Sequence, residues 1–169
     1  MLDQLVKLVE QNAGSAIINN KAIPNEQNNA AIQTVAQQIF SGLQSQAQGG
    51  NLQQLAGMFQ GGKSLSANNP IVNQLISSVA ASVASKLGIS QQAAASMASS
   101  LLPTVMNQLV KKTNDPKDSS FDLGSIMKTV SGNNNLDVTS LIGQVAGGNA
   151  KSNPLGALGG LAGKLFGKK

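Results

Sequence analysis

Apolar residues recur at helical spacing along most of the chain, and each recurrence is bounded by a cap, a proline or a glycine pair. Leu2, Leu5, Val6 and Val9 fall at i, i+3, i+4 and i+7, and Ala13, Ala16 and Ile17 extend the stripe. The spacing predicts a first helix over about Leu2–Asn19, with Gly14 as its weak point. Ile23-Pro24-Asn25-Glu26 reads as a helix start, because proline suits the first turn and Glu26 complements the dipole. Ile32, Val35, Ala36, Ile39, Phe40 and Leu43 then form one stripe opposite a Gln/Asn face, and Gly49-Gly50 act as the stop. Asn51 is placed to cap a short helix over Leu52–Gln60, with Leu52, Leu55 and Phe59 inward and Gly61-Gly62 after it.

The second half reads in the same way. Asn69-Pro70 opens a helix lined by Val72, Leu75, Ile76, Val79, Val83 and Leu87 and ended by Gly88. The longest apolar-periodic stretch, Ile89–Lys112, follows. Ser90 caps it, Met97, Ala98, Leu101, Leu102, Val105, Met106 and Leu109 form its stripe, and Pro103 is expected to kink it near Ser99. After the polar loop 113–120, a helix is predicted over about Phe121–Val130. Asp137 then caps a last short one over Val138–Ala146, closed by Gly147-Gly148.

These pieces align with one another. Asp3-Gln4-Leu5-Val6 matches Asn73-Gln74-Leu75-Ile76, and Val35, Ile39, Phe40 and Leu43 match Leu101, Val105, Met106 and Leu109. Leu52, Leu55, Phe59 and Gly61 match Leu123, Ile126, Val130 and Gly132, and the short pattern recurs at Val138, Leu141, Val145 and Gly147. The expected fold is all-α: a duplicated three-helix unit (long, long, short) forming a compact bundle over residues 1–148. The halves cover about 1–62 and 70–132, and an extra helix covers 137–147. A half of that size would be marginal alone, so the two are expected to pack face to face, with Ile23–Gln46 as the partner of Ile89–Lys112.

Residues 149–169 have a different texture. After Asn153-Pro154, the run PLGALGGLAGKLFGKK places Gly159, Gly163 and Gly167 four residues apart, with Leu158, Leu161 and Leu165 towards the other side. A glycine ridge admits close approach of another helix. A leucine face flanked by lysines suits a membrane surface. The residues singled out for self-association or membrane contact are Leu158, Gly159, Gly163, Leu165, Phe166 and Gly167.

Composition removes most chemistry. The chain has no Cys, His, Trp or Tyr, and all twelve basic residues are Lys. Thiolate and imidazole catalysis, the commonest metal ligands and bidentate guanidinium recognition are therefore absent. Only 11% of residues are charged, and polarity rests on 17 Gln and 17 Asn, so the surface resists self-association less well than a charged one. The net charge of +5 comes partly from Lys164, Lys168 and Lys169. The serines have no histidine partner and no G-x-S-x-G elbow. Gly61-Gly62-Lys63-Ser64 evokes a phosphate loop but follows a helix, without the preceding glycine. Asp115, Asp118 and Asp122 do not have EF-hand spacing. Met58, Met97, Met106 and Met127 sit at core-like positions. With scattered lysines and almost no aromatics, no specific nucleic-acid partner is expected. No secretory signal and no spanning run is visible, so the expected location is the cytoplasm.

The N-terminal M-L-D-Q-L pattern, the Gln/Asn-rich helix after Ile23, the closing glycine pairs and the Gly/Leu tail resemble the YidB-like group of small bacterial helical proteins, over residues 1–148. The resemblance implies a bacterial, all-helical protein without catalysis, and it supplies no site residues. The expectation is a non-enzymatic structural or interaction protein that self-associates into a homo-oligomer or filament through helix faces and the tail. The alternative is a peripheral membrane-interacting protein that uses the tail. No cofactor, metal or small-molecule substrate is identified.

Overall fold

The computed structural model describes residues 1–61 and 65–146, and the described residues form seven α-helices and no strands. In chain order these are α1 (Leu2–Asn12), α2 (Asn28–Gln46), α3 (Leu52–Gln60), α4 (Pro70–Leu87), α5 (Gln91–Thr113), α6 (Leu123–Ser131) and α7 (Val138–Ala146). The protein is an all-α bundle.

Caps account for several boundaries. The Asn69 side chain accepts from the amides of Ile71 and Val72, and Pro70 follows at the first helical position. The Ser90 hydroxyl accepts from Ala93 N–H and starts α5. α4 ends where Gly88 turns left-handed at φ 65°, a conformation a Cβ would penalise. Asn51 does not cap as expected: its amide donates to the Gln46 side chain at 2.8 Å, across a π turn over Ala47–Asn51. The first helix also differs from expectation. It stops at Asn12, and Gly14–Ile18 continue as a π turn in which Ile17 stays buried while Ile18 is turned outward. The start near Pro24 is a short 3-10 turn, Asn25–Gln27, that feeds α2.

α5 runs on through Pro103 as one helix. The ring removes the hydrogen bond to the Ser99 carbonyl, and Ser99 lies on the exposed side, where water can satisfy that group.

The four long helices form a ring. α1 packs on α2, α2 on α4, α4 on α5, and α5 returns to α1. Their stripes meet inside: Leu5, Val9, Val35, Ile39, Leu43, Val79, Val83, Leu101, Leu102, Val105 and Met106 are each at most 1% exposed. The expected pairing of α2 with α5 is corrected here. α5 packs chiefly on α4, and α2 lies across the ring from it, flanked by α1 and α4. The reason is geometric. Both central helices carry broad apolar stripes, and a ring lets each stripe face two neighbours and the shared interior.

The short helices close one end. α3 packs on α5 and α6 on α2, while α3 and α6 also touch each other. Exchanging the first three helices for α4, α5 and α6 maps each of these principal contacts onto another of the set. α7 lies on α3, with Val145 against Gly57 and the Gln53 amide donating to Gln144 at 2.7 Å. Its inward residues are Val138, Ile142 and Val145 rather than Leu141. Met58, Met97, Met106 and Met127 are all core residues, as their spacing implied.

Candidate functional site

The tail residues Leu158, Gly159, Gly163, Leu165, Phe166 and Gly167, the closing Gly147-Gly148 pair and the Gly62-Lys63-Ser64 run all lie outside the described residues. The chemistry of the bundle itself is read from residues 1–61 and 65–146.

Four of the seven acids, Asp115, Asp118, Asp122 and Asp137, are occupied in local structure. Asp122 Oδ2 accepts from Ser125 N–H and starts α6, and Asp137 Oδ1 accepts from Ser140 N–H and starts α7. Asp115 Oδ1 accepts from Lys117 N–H in the loop. Asp118 accepts from Ser120 N–H and forms the one ion pair among the described residues, to Lys112 Nζ at 2.8 Å. The hydrogen bond from Lys112 chiefly, and then that from the Ser120 amide, hold the Asp118 carboxyl below its usual range. Among the described residues, no group of three acids gathers as a metal site would need.

Two asparagine side chains tie the connection between α3 and α4 to α5. Asn107 on α5 accepts from Leu65 N–H at 2.6 Å and donates to the Leu65 carbonyl at 2.9 Å, so a side-chain amide pairs with the linker like a short strand. Just past the end of α5, Asn114 donates to the Phe59 carbonyl at 2.6 Å and ties down the end of α3. These two residues position the connection between the halves.

Two surface grooves follow the seams of the ring. The first lies between α2 and α4, with a cavity of about 130 Å³ lined by Gln38, Ser41, Gly42, Ser45, Gln46, Gln74, Leu75 and Ser78, among others. It is uncharged. The missing Cβ of Gly42 leaves room for Leu75, which occupies the place a Cβ would take. Gln46 Nε2 donates to Gln74 Oε1 at 2.6 Å across the seam. The second lies between α1 and the end of α5, with a cavity of about 260 Å³ lined by Gln4, Lys7, Leu8, Gln11, Lys112, Ser120 and Phe121. Leu8 and Phe121 form its buried floor, and Lys112 Nζ stands 5.9 Å from the Phe121 ring centroid. The Gln/Asn face of the second helix is thus partly spent on α4. Gly42 was the available signal for this close approach, since a mid-helix glycine beside an apolar stripe admits a neighbour.

Few large apolar side chains remain outside. Ile18, 43% exposed, is the one strongly exposed case among the described residues. No described helix is long and apolar enough to cross a membrane.

The sequence matches the family model described as bacterial protein of unknown function (DUF937) over residues 25–79 and 69–169, and the chain belongs to this bacterial family. No curated protein and no solved structure matches it.

Proposed function

We propose that this member of the bacterial family works without catalysis, as a structural or interaction protein that self-associates through residues 149–169. The observation that carries this reading is how little apolar surface the bundle leaves. Its helical stripes are consumed in the ring and in the short-helix layer, and Ile18 stands alone as a strongly exposed large apolar residue among those described. The remaining amphipathic pattern in the chain is the tail, where Gly159, Gly163 and Gly167 fit helix-to-helix contact and Leu158, Leu165 and Phe166 supply apolar area. The capped acids and the absence of an assembled metal-ligating group among the described residues support a non-catalytic role. The reading places the protein in the cytoplasm as a homo-oligomer or filament.

A second reading is favoured by the distribution of charge. Four of the twelve lysines and none of the seven acids lie in 149–169. Leucines with adjacent lysines suit an anionic membrane surface, where attraction adds to apolar burial.

Light scattering on the eluting full chain, and on a chain cut after Asn149, separates the two. Oligomers that form without lipid, and are lost on truncation or in Gly163→Leu, are the expected result. A monomer that floats with anionic vesicles only when the tail is present would sink self-association and favour the membrane reading.

A further inference from the structure

The two grooves occupy equivalent places. In the sequence register that aligns the halves, Gln4 and Leu5 stand where the second half has Gln74 and Leu75, and Lys112 stands where the first half has Gln46. Burial follows the same register: Leu5 and Leu75 are both in the core, as are Leu43 and Leu109. Gly42, however, is matched by Gln108, and Ser77 by Lys7.

These differences accompany a narrower α2/α4 seam and a wider α1/α5 seam. In the α2/α4 seam the glycine lets Leu75 in, and a glutamine pair bridges the walls. In the α1/α5 seam the equivalent helix position carries a side chain, and Lys112 turns to Asp118 instead of bridging to Gln4. The side chains of Gln4, Lys7 and Gln11 make no hydrogen bond or ion pair among the described residues. Asp3 and Glu10, within a turn of Lys7 on the same helix, form no ion pair with it. The result is a groove with twice the cavity volume of its counterpart, about 260 against about 130 Å³.

We propose that the α1/α5 groove is a binding site for small monoanionic carboxylates with a short apolar chain. Leu8 and Phe121 offer the apolar floor. Lys7 and Lys112 supply ammonium groups, and Gln4 and Ser120 supply amide and hydroxyl hydrogen bonds. Asp118 already occupies Lys112, so Lys7, which makes no ion pair although Asp3 and Glu10 lie within a turn of it, is the ammonium left to meet one carboxylate. The cavity is below the ~300–1,000 Å³ of sites for drug-sized ligands, so the apolar part is a few carbons long. The chain's own tail is a poor occupant, since it brings four more lysines and no acid.

Saturation-transfer NMR on the full chain, with hexanoate as the probe and 1-hexanol at matched concentration as its neutral control, tests this. Saturable hexanoate binding that exceeds hexanol binding is expected. Lys7→Met and Lys112→Met should each weaken it about five- to tenfold, because a charge-assisted hydrogen bond is lost at a partly exposed site. Gln46→Ala, in the opposite seam, should leave it unchanged. Circular dichroism checks that each variant is folded; Lys7 is exposed, so its replacement leaves the core intact. Equal binding of hexanol and hexanoate, no saturable hexanoate binding, or full affinity in folded Lys7→Met would each overturn the proposal.

Discussion

Along the α2/α4 seam, Leu75 fills the space left by Gly42 and two neutral amides join across it. Along the α1/α5 seam, the register-equivalent helix position carries Gln108, and the walls carry two lysines beside neutral polar residues, one of the lysines paired to a carboxylate. Leu5 and Leu75 are both buried beside these seams, so the contrast isolates what a seam depends on. A missing Cβ sets how closely two helices approach, and the side chains at the rim then decide whether the seam is closed by its own residues or left open. Charge enters only where the seam stays open.

The largest effect is expected from removing the plug. Leu75→Ala should cost about 2–5 kcal/mol, as for other buried leucine truncations, and should widen the α2/α4 groove. Urea denaturation gives the loss. If Leu5→Ala proves the costlier of the two, the tighter packing assigned to the α2/α4 seam is wrong. Gly42→Val comes next: its Cβ would overlap Leu75 Cδ2, and forcing the seam apart should destabilise by about 1–3 kcal/mol. A more stable Gly42→Val would mean that Leu75 rotates away freely. Gln46→Ala breaks the amide bridge on an exposed surface, so thermal unfolding should move by no more than about 0.5 kcal/mol and equally at low and high salt.

The smallest effect belongs to the charged seam, and its signature is its pH and salt dependence. The Asp118 carboxyl is held below its ordinary value by Lys112, so it binds fewer protons folded than unfolded. Its contribution is therefore present above the ordinary carboxylate value, near pH 4, and is lost as pH falls through the depressed one. Asp118→Asn should be slightly less stable than the parent at neutral pH and equal to it in strong acid, with the gap shrinking at ~1 M salt. A gap that persists in strong acid would mean that Asp118 acts through packing or capping rather than charge.

Much of this fold was legible in the chain. The bounds of α3, α4 and α7 coincide with those read from caps, stripes and glycines, because those signals are local: Asn69-Pro70 and Gly88 act within one turn. Errors arose where a local signal competed with packing. The stripe from Leu2 to Ile17 reads as one helix, yet the backbone widens after Ala13 so that Ile17 stays inside. Asn51 has the chemistry of a cap but found a closer acceptor in Gln46. α7 sets Ile142 and Val145, rather than Leu141, against the core, and Val145 lies over Gly57 on α3.

The candidate sites were less legible. The tail residues were marked by their spacing alone. The α1/α5 groove was not marked, since Gln4 and Lys7 lie far in the chain from Lys112 and Phe121 and none of the four is unusual singly.

What the sequence determined by itself is therefore the helices, their inward faces and the scarcity of chemistry: periodicity, capping and composition act locally or in sum and need no knowledge of neighbours. What only the tertiary structure decided is which helices are neighbours. Two long helices with matching stripes can meet directly or face each other across a ring. Stripes say how much surface must be buried, not against what. The ring won here, and with it came the two seams, one closed over a glycine and one left open between lysines.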